Sequence, residues 1–214
     1  MLDIFYNYFY FFLHPFKMHT ALNAARKGEF FRRRSLRLAE ENETENNDLV
    51  DYDYDGMNFI ELMSVSWILM LINTVYIVVS IYLGLITFNY MSSDEAFTQI
   101  LLPEFSFNAQ KLVLFAALGQ AVLYPVTMWI YTKFWGVLIR FFANLFEFEG
   151  DVAKASDQVV NYSLVSNMFL MIPIFGEVAK RFSSLIYIFA GLRENLKFTR
   201  LQSIIVISSP LLLL

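Results

Sequence analysis

The chain contains no cysteine. That excludes a disulfide framework, a thiolate nucleophile and a cysteine metal site. Histidine occurs only as His14 and His19. Five residues apart on a helix, the two rings point about 140° from one another, whereas a zinc-binding helical pair needs both on one face. Both are read as helix-surface histidines. Charge is also scarce: Lys, Arg, Asp and Glu make up 17% of 214 residues, and the net charge is −4. An acidic chain lacks the basic surface that nucleic acid requires. Glycine-rich phosphate loops, nucleophile elbows and kinase signatures are absent too. The sequence thus offers no catalytic residue, no metal site and no cofactor site.

Apolar mass is what remains. Hydrophobic residues reach 57% and mean hydropathy is +0.48, where soluble domains are roughly half apolar and about a quarter charged. The few charges are placed unevenly, with none in Leu62–Ser93, Leu112–Thr132, Gln158–Gly176 or Leu201–Leu214. Charge-free apolar runs of about 18 residues or more mark transmembrane helices. The pattern predicts an all-α, polytopic transmembrane bundle of about five spans, with an N-terminal interfacial amphipathic helix. Residues 1–39 form the interfacial and basic segment, 40–59 an acidic linker, and 60–214 the transmembrane domain.

Met1 to Leu13 is apolar and aromatic, but it has no positive leading region, and His14-Pro15-Phe16-Lys17 follows where a signal peptide would have small residues. On a helix, Asp3, Asn7, Tyr10, His14 and Lys17 fall on one stripe. Two readings stay open: a helix lying in the membrane interface, or one packed on the protein's own bundle. Pro15 suits the first turn of a second helix, because its missing N–H costs nothing there. That helix is predicted to run to about Lys27 and stop at Gly28. Arg32, Arg33, Arg34 and Arg37 then adjoin Phe30 and Phe31. They are the candidate lipid-binding residues, each cation near an anionic surface contributing about 1 kcal/mol; the alternative reading is that the same arginines are an orientation signal alone.

Glu40 to Asp55 holds eight acids and no base, the composition of a solvated linker. Its end, Asp51-Tyr52-Asp53-Tyr54-Asp55-Gly56, resembles the start of an EF-hand loop. Such a loop needs a bidentate glutamate at its twelfth position. That position is Leu62, with Glu61 one residue early, so the stretch is read as a plain acidic linker.

The first span covers Leu62 to Phe88, longer than the roughly 20 residues required, so it tilts. The second begins at Leu112, and Pro125 allows a kink within it. Beyond Thr132, Lys133, Arg140, Asn144 and Glu147 form a polar stripe with snorkelling cations. The third runs from about Val159 to Phe175 and closes at Pro173 and Gly176. Phe182–Leu192 and Leu201–Leu214 are short fourth and fifth spans. Basic residues gather before the first span, in the second loop (Lys133, Arg140, Lys154) and in the fourth (Arg193, Lys197, Arg200), while Lys180 and Arg181 dissent. By the positive-inside rule the N-terminus is cytoplasmic.

Gly150, Tyr162, Ile172-Pro173 with Gly176, and Gly191-Leu192 before a basic turn and a final apolar run resemble the Yip domain family (Ypt-interacting proteins). His14-Pro15-Phe16 is similar to a proline-centred segment in bacterial relatives. The chain departs from the pattern at Ser166, where the family commonly has proline. The resemblance implies five spans with a cytoplasmic N-terminus, and membrane traffic with small GTPase partners in eukaryotic members. The absent cysteines and lean chain point toward a bacterial inner membrane.

Intramembrane polar residues are few: Asn73, Thr74, Gln120 and Asn167. Helix-to-helix hydrogen bonds account for them at roughly 0.6 kcal/mol each, and Gly119 reads as close helix packing. The leading functional reading is a non-catalytic protein whose partners are membrane lipids, other membrane proteins or its own copies. The alternative is a small-solute channel or transporter with Asn73, Gln120 and Asn167 along its path.

Overall fold

The structure, a computed structural model, describes residues 2–39, 56–91 and 107–212; side chains are described for all of these except residues 2–3, 29–39, 85, 88–89, 91, 107–110 and 211–212. Every regular element among them is helical: α1 (Leu2–Leu13), α2 (Pro15–Ala39), α3 (Phe59–Met91), α4 (Phe107–Leu145), α5 (Val152–Ser163), a 3-10 segment (Leu164–Met171), α6 (Gly176–Glu194) and α7 (Arg200–Leu212). Two stretches, Phe59–Gly84 and Lys111–Leu145, are long and apolar enough to cross a membrane.

Local chemistry sets the helix starts. Asn58 Oδ1 accepts from the Glu61 N–H at 2.9 Å while Glu61 Oε2 accepts from the Asn58 N–H at 2.9 Å. This is a reciprocal capping box, and it explains why a glutamate falls just short of the calcium-loop position. Asp51 to Asp55, the rest of that motif, lies outside the described residues. Asp151 caps α5 by accepting from the Lys154 N–H, and Thr199 with Gln202 repeats the box at α7.

Pro125 sits inside α4. Proline has no N–H to give to the carbonyl four residues back, which leaves Ala121 O without its helical donor. Trp67 Nε1 on α3 donates to that oxygen at 2.9 Å. The proline thereby creates the acceptor that ties the two longest helices together.

α5 and the 3-10 segment form one central rod. Ala155, Val159, Val160, Leu164, Val165 and Leu170 on it are all buried. The N-terminal core joins Tyr8 and Phe11 of α1, Leu22 of α2, Leu62 and Met70 of α3, and Tyr124 of α4 to the rod's Tyr162 and Leu164. A second core joins Trp135 and Ile139 of α4 to Val159, to Ile188 and Leu192 of α6, and to Val206 of α7. Runs of 3-10 helix beyond three or four residues are uncommon, and side chains support this one. Ser163 Oγ donates to Val160 O, Ser166 Oγ to Ser163 O, and Asn167 Nδ2 to Leu164 O, each three residues back at 2.6–2.7 Å. Such bonds compete with α-helical pairing and favour the tighter winding.

Three expectations are corrected. The second helix does not stop at Gly28 but runs on to Ala39; a single glycine costs a helix only about 1 kcal/mol, and nothing else there breaks it. The third apolar segment is not one helix from Val159 to Phe175: it starts at Val152, changes winding at Leu164 and ends at Met171. His19 is buried rather than at the surface. As for α1, it packs on the bundle through Tyr8 and Phe11 while Phe5, Tyr6, Phe9 and Leu13 stay exposed.

Candidate functional site

Two polar regions interrupt the apolar interior. The first lies where α2, α5 and the α6–α7 connection meet. Arg26 of α2 is 7% exposed. Its Nη1 donates to Asn195 Oδ1 at 2.6 Å and to Gln158 Oε1 at 3.3 Å. Its Nη2 donates to Asn195 O at 2.8 Å and to Asn23 Oδ1 at 3.1 Å. The guanidinium also stacks over the Phe148 ring, 5.6 Å from its centre. Burial draws the Arg26 pKa down and the Asp151 charge opposes that shift; the guanidinium is held by neutral amide and carbonyl oxygens and one aromatic face. Arg's planar fork suits such a site. It fastens α2 to three later parts of the chain at once. Beside it opens a cavity of about 450 Å³ lined by Asn58, Asp151, Lys154, Asp157 and Gln158 among others. At its edge Arg140 pairs with Asp157 at 2.6 Å, an exposed ion pair contributing at most about 1 kcal/mol.

The second region lies between α4, the 3-10 segment and α6. Here a cavity of about 220 Å³ is lined by Tyr131, Ser163, Ser166, Asn167, Glu177, Lys180, Arg181 and Ser184, with Met128 and Leu164. Lys180 Nζ reaches both Glu177 oxygens at 3.3 Å and faces the Tyr124 ring at 5.8 Å. Asn167 is almost fully buried, and its Oδ1 has no hydrogen-bond partner. Just behind it, Leu164 O accepts from Tyr8 OH at 2.8 Å and Ser66 Oγ at 3.3 Å, so α1 and α3 are pinned to the rod at the cavity's back wall.

The residues singled out in the sequence are placed as follows. Arg32, Arg33, Arg34 and Arg37 lie on the continuous backbone of α2, and their side chains are outside the described residues. Asn73, Thr74 and Asn167 are buried, whereas Gln120 is exposed on α4. His14 is exposed and stacks on Tyr10 at 4.9 Å. His19 meets Phe11 edge-on at 5.0 Å, and neither ring nitrogen has a hydrogen-bond partner. Burial alone pushes its pKa down to about 3, so it is a neutral core residue.

Gly176 and Gly191 have packing reasons to be glycine. A side chain at Gly176 would run into the Phe169 carbonyl of the rod, and a Cβ at Gly191 would stand 2.7 Å from Val159 Cγ1 and 3.1 Å from His19 Cε1. Of the cavity's lining, the sequence marked Ser166 only as a departure from the family pattern and Lys180 and Arg181 only as dissenting charges, and it gave Ser163 and Ser184 no role. The available signal was Ser163-x-x-Ser166-Asn167 facing a charged Glu177-x-x-Lys180-Arg181 across a proline turn.

No protein-family model matches the chain, and neither a curated protein nor a solved structure matches it.

Proposed function

We propose that the protein is a five-pass integral membrane protein of Yip-like type, with its N-terminus in the cytoplasm, that acts without catalysis by binding membrane lipids, other membrane proteins or its own copies. The carrying observation is an inverted surface. Val126, Trp129, Ile130, Phe134, Val137 and Phe141 on α4 are exposed, as are Phe175, Val178, Phe182 and Ile186 around α6 and Leu201, Ile204 and Ile205 on α7. Serines, asparagines and Arg26 are buried instead. Apolar exposure on this scale marks a surface that meets lipid or protein. The five passes are α3, α4, the central rod, α6 and α7. Alternation is supported by Arg26, Phe148 and Asn195, which come from the N-terminal segment, the second connection and the fourth, and meet at one end of the bundle. The lack of cysteine agrees with a bacterial inner membrane.

The experiment is extraction followed by labelling. The protein should resist alkaline carbonate. Because the chain has no cysteine, Ser93→Cys should react with an impermeant thiol reagent from outside, and Lys27→Cys and Ala153→Cys only after the membrane is opened. Carbonate-soluble protein, or the reverse labelling pattern, refutes the reading. The basic segment adds a second expectation: replacing Arg32, Arg33, Arg34 and Arg37 by glutamine in a peptide of residues 1–38 should remove most of the salt dependence of its binding to anionic vesicles, since that term is screened over about 8 Å at physiological salt.

A further inference from the structure

The cavity between α4, the 3-10 segment and α6 is unlike its surroundings in one respect: its hydrogen-bonding capacity is sorted by depth. Towards the rod the hydroxyl protons are already committed. Ser163 Oγ donates to Val160 O at 2.6 Å and Ser166 Oγ to Ser163 O at 2.7 Å; on α6, Ser184 Oγ donates to Arg181 O at 2.8 Å. Their oxygens keep lone pairs and have no proton left to give. Tyr131 OH lies 3.3 Å from Ser163 Oγ, and because the Ser163 proton is committed, the phenol is the donor. Asn167 gives one amide proton to Leu164 O and leaves Oδ1 buried without a partner. A buried acceptor left unmet costs about 1–3 kcal/mol, so this end of the cavity calls for a ligand that brings N–H or O–H groups.

The α6 side has the opposite character. Lys180 and Arg181 sit one turn from Glu177, which neutralises one of the two charges; the Arg181 side chain is 79% exposed. Its neighbours on the same helix, Val178 and Phe182, are exposed apolar residues, as are Ile174 and Phe175 in the turn before it. An exposed guanidinium on an apolar surface is the arrangement in which a cation reaches for a phosphate at the edge of the hydrocarbon, and Arg's fork matches a phosphate with two bonds.

We propose that this cavity holds the head group of a phospholipid with a hydrogen-bond-donating end, its phosphate on Arg181 and Lys180 and its ammonium donating to Asn167 Oδ1 and the serine oxygens, with its acyl chains along Val178 and Phe182. The site selects ethanolamine-type head groups. A choline head group carries the same phosphate and the same charge but has no N–H, so it leaves Asn167 Oδ1 unmet. The proposal rests on the membrane reading above and adds to it a lipid class and a place.

The test uses the full chain in mild detergent with equimolar phosphatidylethanolamine and phosphatidylcholine of matched acyl chains, and reads the retained lipid by native mass spectrometry. The ethanolamine lipid should be retained roughly tenfold over the choline lipid, the ratio expected of one buried hydrogen bond. Arg181→Gln, at an exposed position, should lower retention of both. Asn167→Leu should bring the two lipids level. Ser184→Ala, which removes an acceptor without touching the rod, should narrow the ratio while the fold stays intact. Excess O-phosphoethanolamine should displace the lipid and phosphocholine should not. Equal retention of the two lipids by the unmodified protein, retention unaffected by Arg181→Gln, or displacement by inorganic phosphate as effective as by O-phosphoethanolamine each overturns the proposal. A carbonate-soluble protein refutes the membrane reading itself, whereas a carbonate-resistant one that ignores the head group refutes only this site.

Discussion

Replacing Trp67 by Phe isolates the bond that Pro125 makes possible. The indole N–H is the donor to Ala121 O at 2.9 Å, and phenylalanine keeps most of the aromatic packing while removing that donor. Between transmembrane helices a hydrogen bond contributes about 0.6 kcal/mol on average and up to about 1.7. A stranded carbonyl costs about 1–3 kcal/mol. Pro125 has no N–H to answer the freed oxygen, so the expected cost of Trp67→Phe is about 1–2 kcal/mol. Pro125→Ala supplies that missing N–H, and Ala121 O then has an ordinary helical donor. In the Pro125→Ala background the cost of Trp67→Phe should therefore fall below about 0.5 kcal/mol, giving a coupling of about 1 kcal/mol in a double-mutant cycle. Loss of ring area is the same in both backgrounds and cancels. The assay is reversible unfolding in mixed micelles followed by circular dichroism. An equal cost in both backgrounds would show that the indole acts through packing and that the freed carbonyl is irrelevant.

Other positions give further checks. His19 is neutral in the fold with its pKa pushed down to about 3, against about 6.5 unfolded. As pH falls below about 6.5 the unfolded chain takes up a proton that the folded chain refuses, so stability should decline by up to about 1.4 kcal/mol per pH unit down to about pH 3; His19→Phe should flatten that slope in pH-dependent unfolding. Ile174 is a β-branched residue held at φ 67° and largely exposed. Ile174→Gly should raise thermal stability by about 0.5–1 kcal/mol, the left-handed penalty less the added freedom of glycine in the unfolded chain. Gly191→Ala should destabilise by about 1–3 kcal/mol through overpacking against Val159, whose branched side chain has little freedom to turn away, and Val159→Ala should rescue it.

The longest apolar run free of charge was the most legible part of the fold: α3 contains the whole of the predicted first span. Helix ends were less so. Asn58-x-x-Glu61 is a capping box that can be read from sequence, but the acids before it made the same glutamate resemble a misplaced calcium ligand. Gly28 carries a stop signal that α2 overrides, because propensity at one residue is a weak term within a long helix. The change of winding at Leu164 could not be read from hydropathy, since Ser163, Ser166 and Asn167 act through hydrogen bonds to the backbone. Burial of Arg26 and His19 was hidden for another reason. Each is buried by partners far along the chain, such as Asn195 and Gly191, and local periodicity carries no information about contacts at that range. The cavity's acceptors and cations fall on three elements and came together only in the fold.

The bonds that hold α1 carry a timing consequence. Tyr8 OH donates to Leu164 O, 156 residues later in the chain, and Phe12 O accepts from Tyr187 OH, 175 residues later. At roughly 5–20 residues per second, α1 waits on the order of ten to thirty seconds after its own synthesis before these partners exist. Throughout that interval Tyr8 and Phe11 have no rod to pack against, and on the membrane reading proposed above the membrane surface would be the apolar resting place open to such a helix. On that reading the interfacial helix and the bundle-packed helix would be two stages in the life of one segment, ordered by the ribosome.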